Sequence, residues 1–349
     1  MNGGSGRHDA DDTRQTIEAA MQAAARTHRI FVIEDVSQIQ ATVQQAVDAA
    51  KEQGAVVVAV GGDGTINAVA NTVLGSGCLF GAIPQGTFNY FGRTHGIPEE
   101  ISESLQDLLH GAPVPVQVGQ VNDHIFLVNA SVGLYPELLE DREAFKQKYG
   151  RSRLVAIWAA IATVFGRHRQ LHMTLEQDGK RVAMRTTTLF IGNNRLQLDQ
   201  VGMPQAAAVV QGQLAAIAVR PVGKLSMLWL GVCGALGRLG DAEHVVGFSF
   251  RELTVAPRRK SNGTVEEVST DRKNTGKRTH RNQIKVAADG EIMWLRTPLE
   301  FRVASEPLQL IKRQRTSKEN DAQSDAAVSD EAMLDNKSDS EVELGGHAA

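Results

Sequence analysis

Residues 55–60 read AVVVAV, and the chain then runs straight into Gly61, Gly62, Asp63, Gly64 and Thr65. A continuous run rich in β-branched residues offers no polar face to water, so it predicts a strand buried on both sides, as in a parallel sheet. Parallel strands need crossovers, usually helices. The flanks supply them: residues 15–27 and 37–53 read as helices, the second with Ser37 as its N-cap, and Ile66, Val69, Ala70 and Val73 recur at helical spacing. Arg29–Ile33 and Leu79–Ile83 read as short strands and Glu99–His110 as a further helix. The alternation predicts a doubly wound α/β domain over residues 1–115 with a mostly parallel sheet.

From about residue 114 the rhythm changes. Runs at 114–121, 124–129, 171–177, 182–191, 214–219, 248–256, 284–288 and 291–303 are strand-like and separated by turn residues. They predict a mainly antiparallel β-sandwich domain over residues 116–311. Helical signals there are few: 139–149, 152–166 and the Leu/Gly-rich 223–239. The last two carry Trp158 and Trp229 and read as core or domain-packing helices, with an interfacial role as the alternative. Residues 260–282 interrupt the strands with a polar loop; 258–281 hold eight Lys/Arg against three acids. A solvated loop is the plain reading, and a basic flap drawn to anionic lipid the sharper one. Residues 312–349 read as a disordered acidic tail. Residues 316–349 carry nine acids and two lysines, a charge of −7 within a chain total of −3. The remainder, at +4, is mildly basic, which suits an anionic ligand but not a nucleic-acid face. Two cysteines, Cys78 and Cys233, show no metal or disulfide spacing, nor do His95, His168, His172 and His244. No signal peptide opens the chain, and Leu154–Phe165 is too short to span a bilayer, so a cytoplasmic setting is expected.

A buried strand that ends in glycines and enters a helix is the usual frame of a phosphate site, because the first-turn N–H groups and the helix dipole converge there. The spacing fits neither GxGxxG nor GxxxxGK[ST]. Taken alone, GGDGT also reads as a tight βα turn with Asp63 as a cap. A second strand-turn-helix start follows, AIPQGTFNYFGR at 82–93, with Gly86, Thr87 and Asn89. Ends of successive parallel strands share one sheet edge, so both Gly-Thr turns can face one crevice.

GGDGT at 61–65 with Ile66 and Asn67, and PQGTFN at 84–89, resemble the catalytic domain of the diacylglycerol kinase superfamily, which includes soluble bacterial diacylglycerol kinases and sphingosine and ceramide kinases. NGGSG at 2–6 resembles the family's opening NPxSG turn at Asn2, Ser5 and Gly6; NASVGL at 129–134, FIGNN at 190–194 and Asp289-Gly290-Glu291 match later segments in order. The resemblance runs over roughly residues 1–311. It implies transfer of the ATP γ-phosphoryl group to a hydroxyl of diacylglycerol or a related lipid. Gly61, Gly62 and Gly64 would then approach phosphates, with Asn2, Ser5, Gly6, Thr65, Ile66, Asn67, Gly86, Thr87 and Asn89 in the nucleotide site. Asp63 would hold the catalytic Mg²⁺, directly or through water, since a carboxylate repels phosphate but binds a hard cation. Asp289 or Glu291 would supply the general base, although Asp-Gly alone also reads as a hairpin turn. NAD kinases share GGDGT but not the second motif.

Four departures bear on these expectations. Met1 directly precedes Asn2, where the family has an apolar strand, so a start upstream or a lost strand is expected. Tyr90 stands where the family often has a second acid. Residues 209–215, VVQGQLA, lack the carboxylates of the family's structural Mg²⁺ loop, so no structural metal is expected there. The stretch 260–282 stands as an insertion. Together they motivate one alternative, a catalytically weak nucleotide- or lipid-binding regulatory homologue. The expected partners are ATP, a membrane-embedded lipid and an anionic membrane surface on the inner face, with no nucleic acid; a homodimer stays open.

Overall fold

The structure, a computed structural model, describes residues 1–3, 10–133, 170–261, 264–267 and 283–313. Ser5, Gly6, the stretches 139–149 and 152–166 with Trp158, His168, most of the basic insertion and the acidic tail lie outside the described residues.

The N-terminal unit holds α1 (Ala10–Ala23), α2 (Ile39–Gln53), β1 (Val56–Gly61), α3 (Asp63–Val73), β2 (Leu79–Pro84), α4 (Tyr90–Thr94), α5 (Ile101–His110) and β3 (Ala112–Val116). β1 and β2 pair in parallel, Val57 opposite Phe80 and Gly61 opposite Pro84. The alternation of β1 is split between two cores. Val57 and Ala59 face α2 and α3 through Val43, Val47, Ile66, Val69 and Ala70. Val58 and Val60 face the other way, with Ile17 of α1 and Ile101 and Leu105 of α5. From Val57 onward the run thus packs both of its faces, as the doubly wound expectation requires, while Ala55 and Val56 at its start are exposed.

Local details differ from the sequence reading. The first helix starts at Ala10 rather than residue 15. Ser37 does not cap α2: its hydroxyl and N–H donate to the Asp35 carboxylate at 2.7 and 2.9 Å, because an Asx turn competes for the same donors. Arg29–Ile33 forms only a single parallel bridge, between Ile33 and Asn2. That bridge bears on the strand expected to be missing. Asn2 N–H donates to Val60 O at 3.0 Å, Gly3 N–H to Ile33 O at 3.0 Å, and Ile33 N–H to Met1 O at 2.8 Å. Met1–Gly3 therefore lies as a strand stub between the end of β1 and Ile33.

The sandwich follows with β4 (Gly119–Val121), β5 (His124–Phe126), β6 (Asn129–Gly133), β7 (Leu171–Gln177), β8 (Lys180–Thr186), β9 (Thr188–Gly192), α6 (Arg195–Gln200), α7 (Ala206–Val210), β10 (Leu214–Val219), α8 (Lys224–Ala235), β11 (Val245–Phe250), β12 (Glu252–Ser261), β13 (Thr264–Glu267), β14 (Gln283–Ala288), β15 (Glu291–Arg296) and β16 (Leu299–Val303). One sheet runs β11-β10-β9-β6-β14-β15 and the other β5-β4-β16-β12-β7-β8, with β13 on β12. Their inner faces close on Phe126, Val132, Leu189, Ile191, Val255 and Phe301. Thr187 splits the expected run 182–191, and Thr297-Pro298 splits 291–303. The insertion expected as loop from residue 260 instead begins as a hairpin, Arg258 pairing Glu267 and Ser261 pairing Thr264.

Two further outcomes matter for the site. The chain leaves the sandwich at Val303 and forms β17 (Leu308–Lys312), which inserts between β2 and β3 of the first sheet. The stretch expected as 116–311 thus returns its final strand to the N-terminal unit. The helix expected to pack in the core, α8, instead exposes Leu225, Trp229 and Val232. It packs through Leu230.

Leu310 is fully buried in β17, opposite Phe80 and Val114. Leu310→Ala should cost about 2–5 kcal/mol of stability by the large-to-small rule. Urea unfolding would show it as a lower midpoint at unchanged slope; a cost under about 1 kcal/mol would count against β17 as a core strand of the first sheet.

Candidate active site

β1 ends at Gly61, Gly62 is the N-cap of α3, and no side chain caps that helix. The first intrahelical bond is Ile66 N–H to Gly62 O at 3.0 Å, so the N–H groups of Asp63, Gly64 and Thr65 have no acceptor within the helix. The second turn is held beside the first by Gln85 N–H donating to Gly61 O at 2.9 Å. The two turns then meet backbone to backbone. A Cβ on Gly86 would lie 2.8 Å from Gly62 Cα, and one on Gly62 would lie 3.3 Å from Gly86 Cα. Only glycine at both positions lets the turns close to this distance.

Asn89 shapes the second turn from within. It is buried in the left-handed region at φ 49°, which Asn tolerates, and its Oδ1 accepts from Gly86 N–H at 2.7 Å. Asp63 completes the lock. Its Oδ2 accepts from Tyr90 N–H at 3.2 Å and its Oδ1 from Phe91 N–H at 3.1 Å. The carboxylate that begins α3 therefore caps α4, the helix of the other turn. Burial pushes the Asp63 carboxyl above its ordinary value, opposed by these donors and the charge of Arg93. Phe91, Tyr90 and Asn89 together supply three backbone donors, which leaves one of the carboxylate's roughly four acceptor sites for water or a cation.

Asn67 sits one helical turn after Asp63, on the same face of α3. Its Nδ2 donates to Asp289 Oδ2 at 2.6 Å across 222 residues of chain. Asp289 and Gly290 make a two-residue hairpin turn, with φ of 46° and 87°. From that turn the carboxylate reaches the bend between β5 and β6. Oδ2 accepts from Leu127 N–H at 2.6 Å, and Oδ1 from Val128 and Asn129 N–H at 2.9 and 2.8 Å. Burial lifts its pKa from 3.8 to about 6 against the pull of those four donors. The hairpin-turn and functional readings of Asp-Gly are therefore compatible: the turn aims the carboxylate at the seam between the two units.

Asn2 joins the site from the N-terminal stub, its Nδ2 donating to Thr65 Oγ1 at 3.1 Å. Thr65 is buried behind the loop, whereas Gly64 and Thr87 are exposed at its surface. Ile66 is set apart from the rest: its side chain is fully buried in the core and its N–H is spent inside the helix. Glu291 is exposed beside the hairpin turn. Phe88 is 52% exposed and stacks on Tyr90, ring centroids 5.8 Å apart at 13°, giving the second turn an apolar lip.

The sequence reading gave no role to Asn193 and Asn194. Asn194 Oδ1 caps α6 through Gln197 N–H at 3.0 Å, and its Nδ2 donates to Tyr90 O at 3.2 Å across the seam. Asn193 is buried and bonds Leu127 O at 3.0 Å and Gln117 O at 3.2 Å. Paired asparagines after a strand signal a cap; their partners across the seam leave no local trace.

A group whose folded pKa lies near 6 and whose ordinary value is 3.8 binds its proton more readily when folded. Its contribution to stability is fully present below about pH 4 and is lost as pH rises through about 6. The difference in unfolding free energy between wild type and Asp289→Asn, measured by urea unfolding, should therefore fall across that window. A pH-independent difference would show that Asp289 titrates normally.

Comparisons with known proteins bear on this arrangement. Residues 1–121 match the family described as the diacylglycerol kinase catalytic domain. A diacylglycerol kinase of Bacillus subtilis (strain 168) is 39% identical over 99 residues, 28% of this chain and 33% of that protein. A Klebsiella pneumoniae (strain 342) protein named "Probable lipid kinase YegS-like" is 39% identical over 79 residues, 22% of this chain and 27% of that one. The matches thus span about a third or less of those relatives' length. A solved structure of a diacylglycerol kinase from Bacillus anthracis str. Sterne shares the fold with a TM-score of 0.59, at 15% identity, over 89% of this chain and 94% of that one. Residues 1–121, where Asp63 locks the two glycine turns together, are thus the part of the chain that is similar to the diacylglycerol kinase catalytic domain.

Proposed function

We propose that this protein is a lipid kinase that moves the γ-phosphoryl group of ATP to a hydroxyl of diacylglycerol or a related lipid. The observation that carries the reading is the backbone contact of Gly62 with Gly86, which holds the uncapped start of α3 against the second glycine turn, beside two carboxylates. Phosphate oxygens suit such a concavity, because uncapped first-turn N–H groups and the dipole of α3 both favour negative charge. Gly61, Gly62 and Gly64 give the close approach; Asn2, Thr65, Thr87 and Asn89 shape its walls.

Mg²⁺ fits the donors on hand. Asp63 keeps some acceptor capacity beside its three backbone donors, and no cluster of three His, Cys, Asp or Glu forms a closed metal site among the described residues. A hard cation there would be shared between Asp63 and nucleotide phosphates, neutralising their charge. Asp289 is the better-placed base of the two candidates, because it lies in the seam while Glu291 is exposed. Its Oδ2 holds one side-chain donor, Asn67 Nδ2, and rotation of that amide would open the oxygen to an acceptor hydroxyl. A carboxylate with a pKa near 6 is suited to take a proton near neutral pH. We place the enzyme in the cytoplasm, at the inner face of the membrane; no described helix is long and apolar enough to cross a bilayer.

One observation favours a second reading, a nucleotide- or lipid-binding regulator: all four acceptor sites of Asp289 are already filled by the fold. Incubation with labelled ATP, Mg²⁺ and a lipid extract separates the two. Label in an organic-phase product supports the kinase; ATP binding with no labelled lipid supports the regulator. Asp63→Asn loses the charge and keeps an acceptor for only one of the two α4 N–H groups, so transfer should fall about a hundredfold or more, with a lower melting temperature from the N–H left facing the amide NH2.

Gly64→Ala tests the phosphate approach separately. A Cβ there meets nothing within 4 Å. The fold should be unchanged or gain up to about 1 kcal/mol, while ATP affinity measured by calorimetry should drop at least tenfold. Unchanged affinity would place the phosphates away from this loop.

A further inference from the structure

α8 has no charged side chain between Leu225 and Ala235. A helix that is apolar all round is normally buried on every side, yet only one of its large side chains, Leu230, is buried. Leu225 is 79% exposed, Trp229 64%, Val232 46%, and Leu236, just past its end, 66%. Those four account for four of the ten exposed large hydrophobic residues among those described. Their spacing of four, three and four places them within an arc of about 60° at 100° per residue. They form one continuous stripe, the kind of exposed patch that marks an interaction surface.

We propose that this stripe is the surface by which the protein docks on an anionic lipid bilayer, with α8 lying in the plane of the headgroups. The proposal rests on the lipid-kinase reading, under which the acceptor is embedded in a membrane. Three features favour a bilayer over a protein partner. The stripe is built around a tryptophan, whose indole favours the headgroup zone. It carries no polar side chain with which a protein partner could be fixed in register; Ser226 and Cys233 lie off the arc. And the chain from Arg220 to Ala242 has three cations, Arg220, Lys224 and Arg238, against one acid, Asp241, which pairs with Arg238 at 3.6 Å and leaves Arg220 and Lys224 as the net positive charge of the segment. This is the charge arrangement of a helix that lies on an anionic surface. At 12 residues α8 is about 18 Å long, which suits a helix that lies flat rather than one that crosses.

The placement is compatible with catalysis. After α8 the chain is tied to the end of α6 by Leu239 N–H donating to Val201 O at 3.0 Å. The other end of α6 is capped by Asn194, which bonds Tyr90 at the seam. One short helix, about 9 Å long, therefore links the docking surface to the crevice.

The test uses the full chain and the pair Leu225→Ser with Trp229→Ser, both at exposed positions. Partition onto vesicles of phosphatidylglycerol and phosphatidylcholine is measured by sedimentation, and phosphoryl transfer is measured on two acceptors: long-chain diacylglycerol in those vesicles and a short-chain diacylglycerol in detergent micelles. The variant should partition at least tenfold less and lose transfer on vesicles in proportion, while transfer in micelles stays at the wild-type rate. Unchanged partition overturns the proposal. So does a fall in melting temperature of several degrees, which would show the stripe packed inside the chain, or a wild-type dimer that the variant breaks in sedimentation velocity. If the wild type transfers phosphate to neither acceptor but partitions through the stripe, the kinase reading fails and the docking surface stands.

Discussion

The contact between Gly62 and Gly86 is the constraint on which the rest of the site depends. Two turns on adjacent parallel strands come close enough that either Cβ would collide or crowd, and no side chain fills the space between them. What remains on the crevice side is peptide backbone, and peptide backbone at the start of a helix presents donors. The sheet brings the turns level through the β1–β2 register, and Gln85 carries that pairing one residue past the strands. Asn89 then bends the second turn from inside, and Asp63 closes the pair from outside.

Both carboxylates of the site hold parts of the fold as well as chemistry. Asp63 faces the positive end of α4, and Asp289 gathers the N–H groups of the bend from Leu127 to Asn129. In each case burial raises the proton affinity and the donors lower it, with burial the larger effect. An acid held in that balance is positioned without being locked in its charged form. The Asn67–Asp289 bond couples the two units of the molecule.

The sequence made the architecture legible where a single physical requirement acts on consecutive residues. AVVVAV has to bury both faces, and from Val57 onward it does. The glycines have to admit close backbone approach, and they do. Strand breaks at Thr187 and Pro298, by contrast, divide runs whose alternation continues across the break. Ser37 failed as a cap because Asp35 offered its side chain a nearer partner. Asp63 stood out in the sequence as an acid among glycines, but its role as the cap of α4 depends on a helix starting 27 residues later. Asn193, Asn194 and the return of β17 depend on pairings between distant segments, which local pattern does not encode. The exposure of α8 was hidden for the opposite reason: apolar spacing reports which side chains share a face, not what that face meets.

β17 makes the sandwich a passenger inside the α/β unit, attached by two chain crossings, one between β3 and β4 and one between β16 and β17. During synthesis, the sheet that carries the glycine turns cannot be completed when its own helices have emerged. It must wait for Leu308–Lys312, after the whole sandwich has been made. Until then β2 and β3 lack the strand that lies between them, and the nucleotide side remains an open edge. The order of assembly is thereby fixed by topology: the unit that comes first along the chain is the last to close.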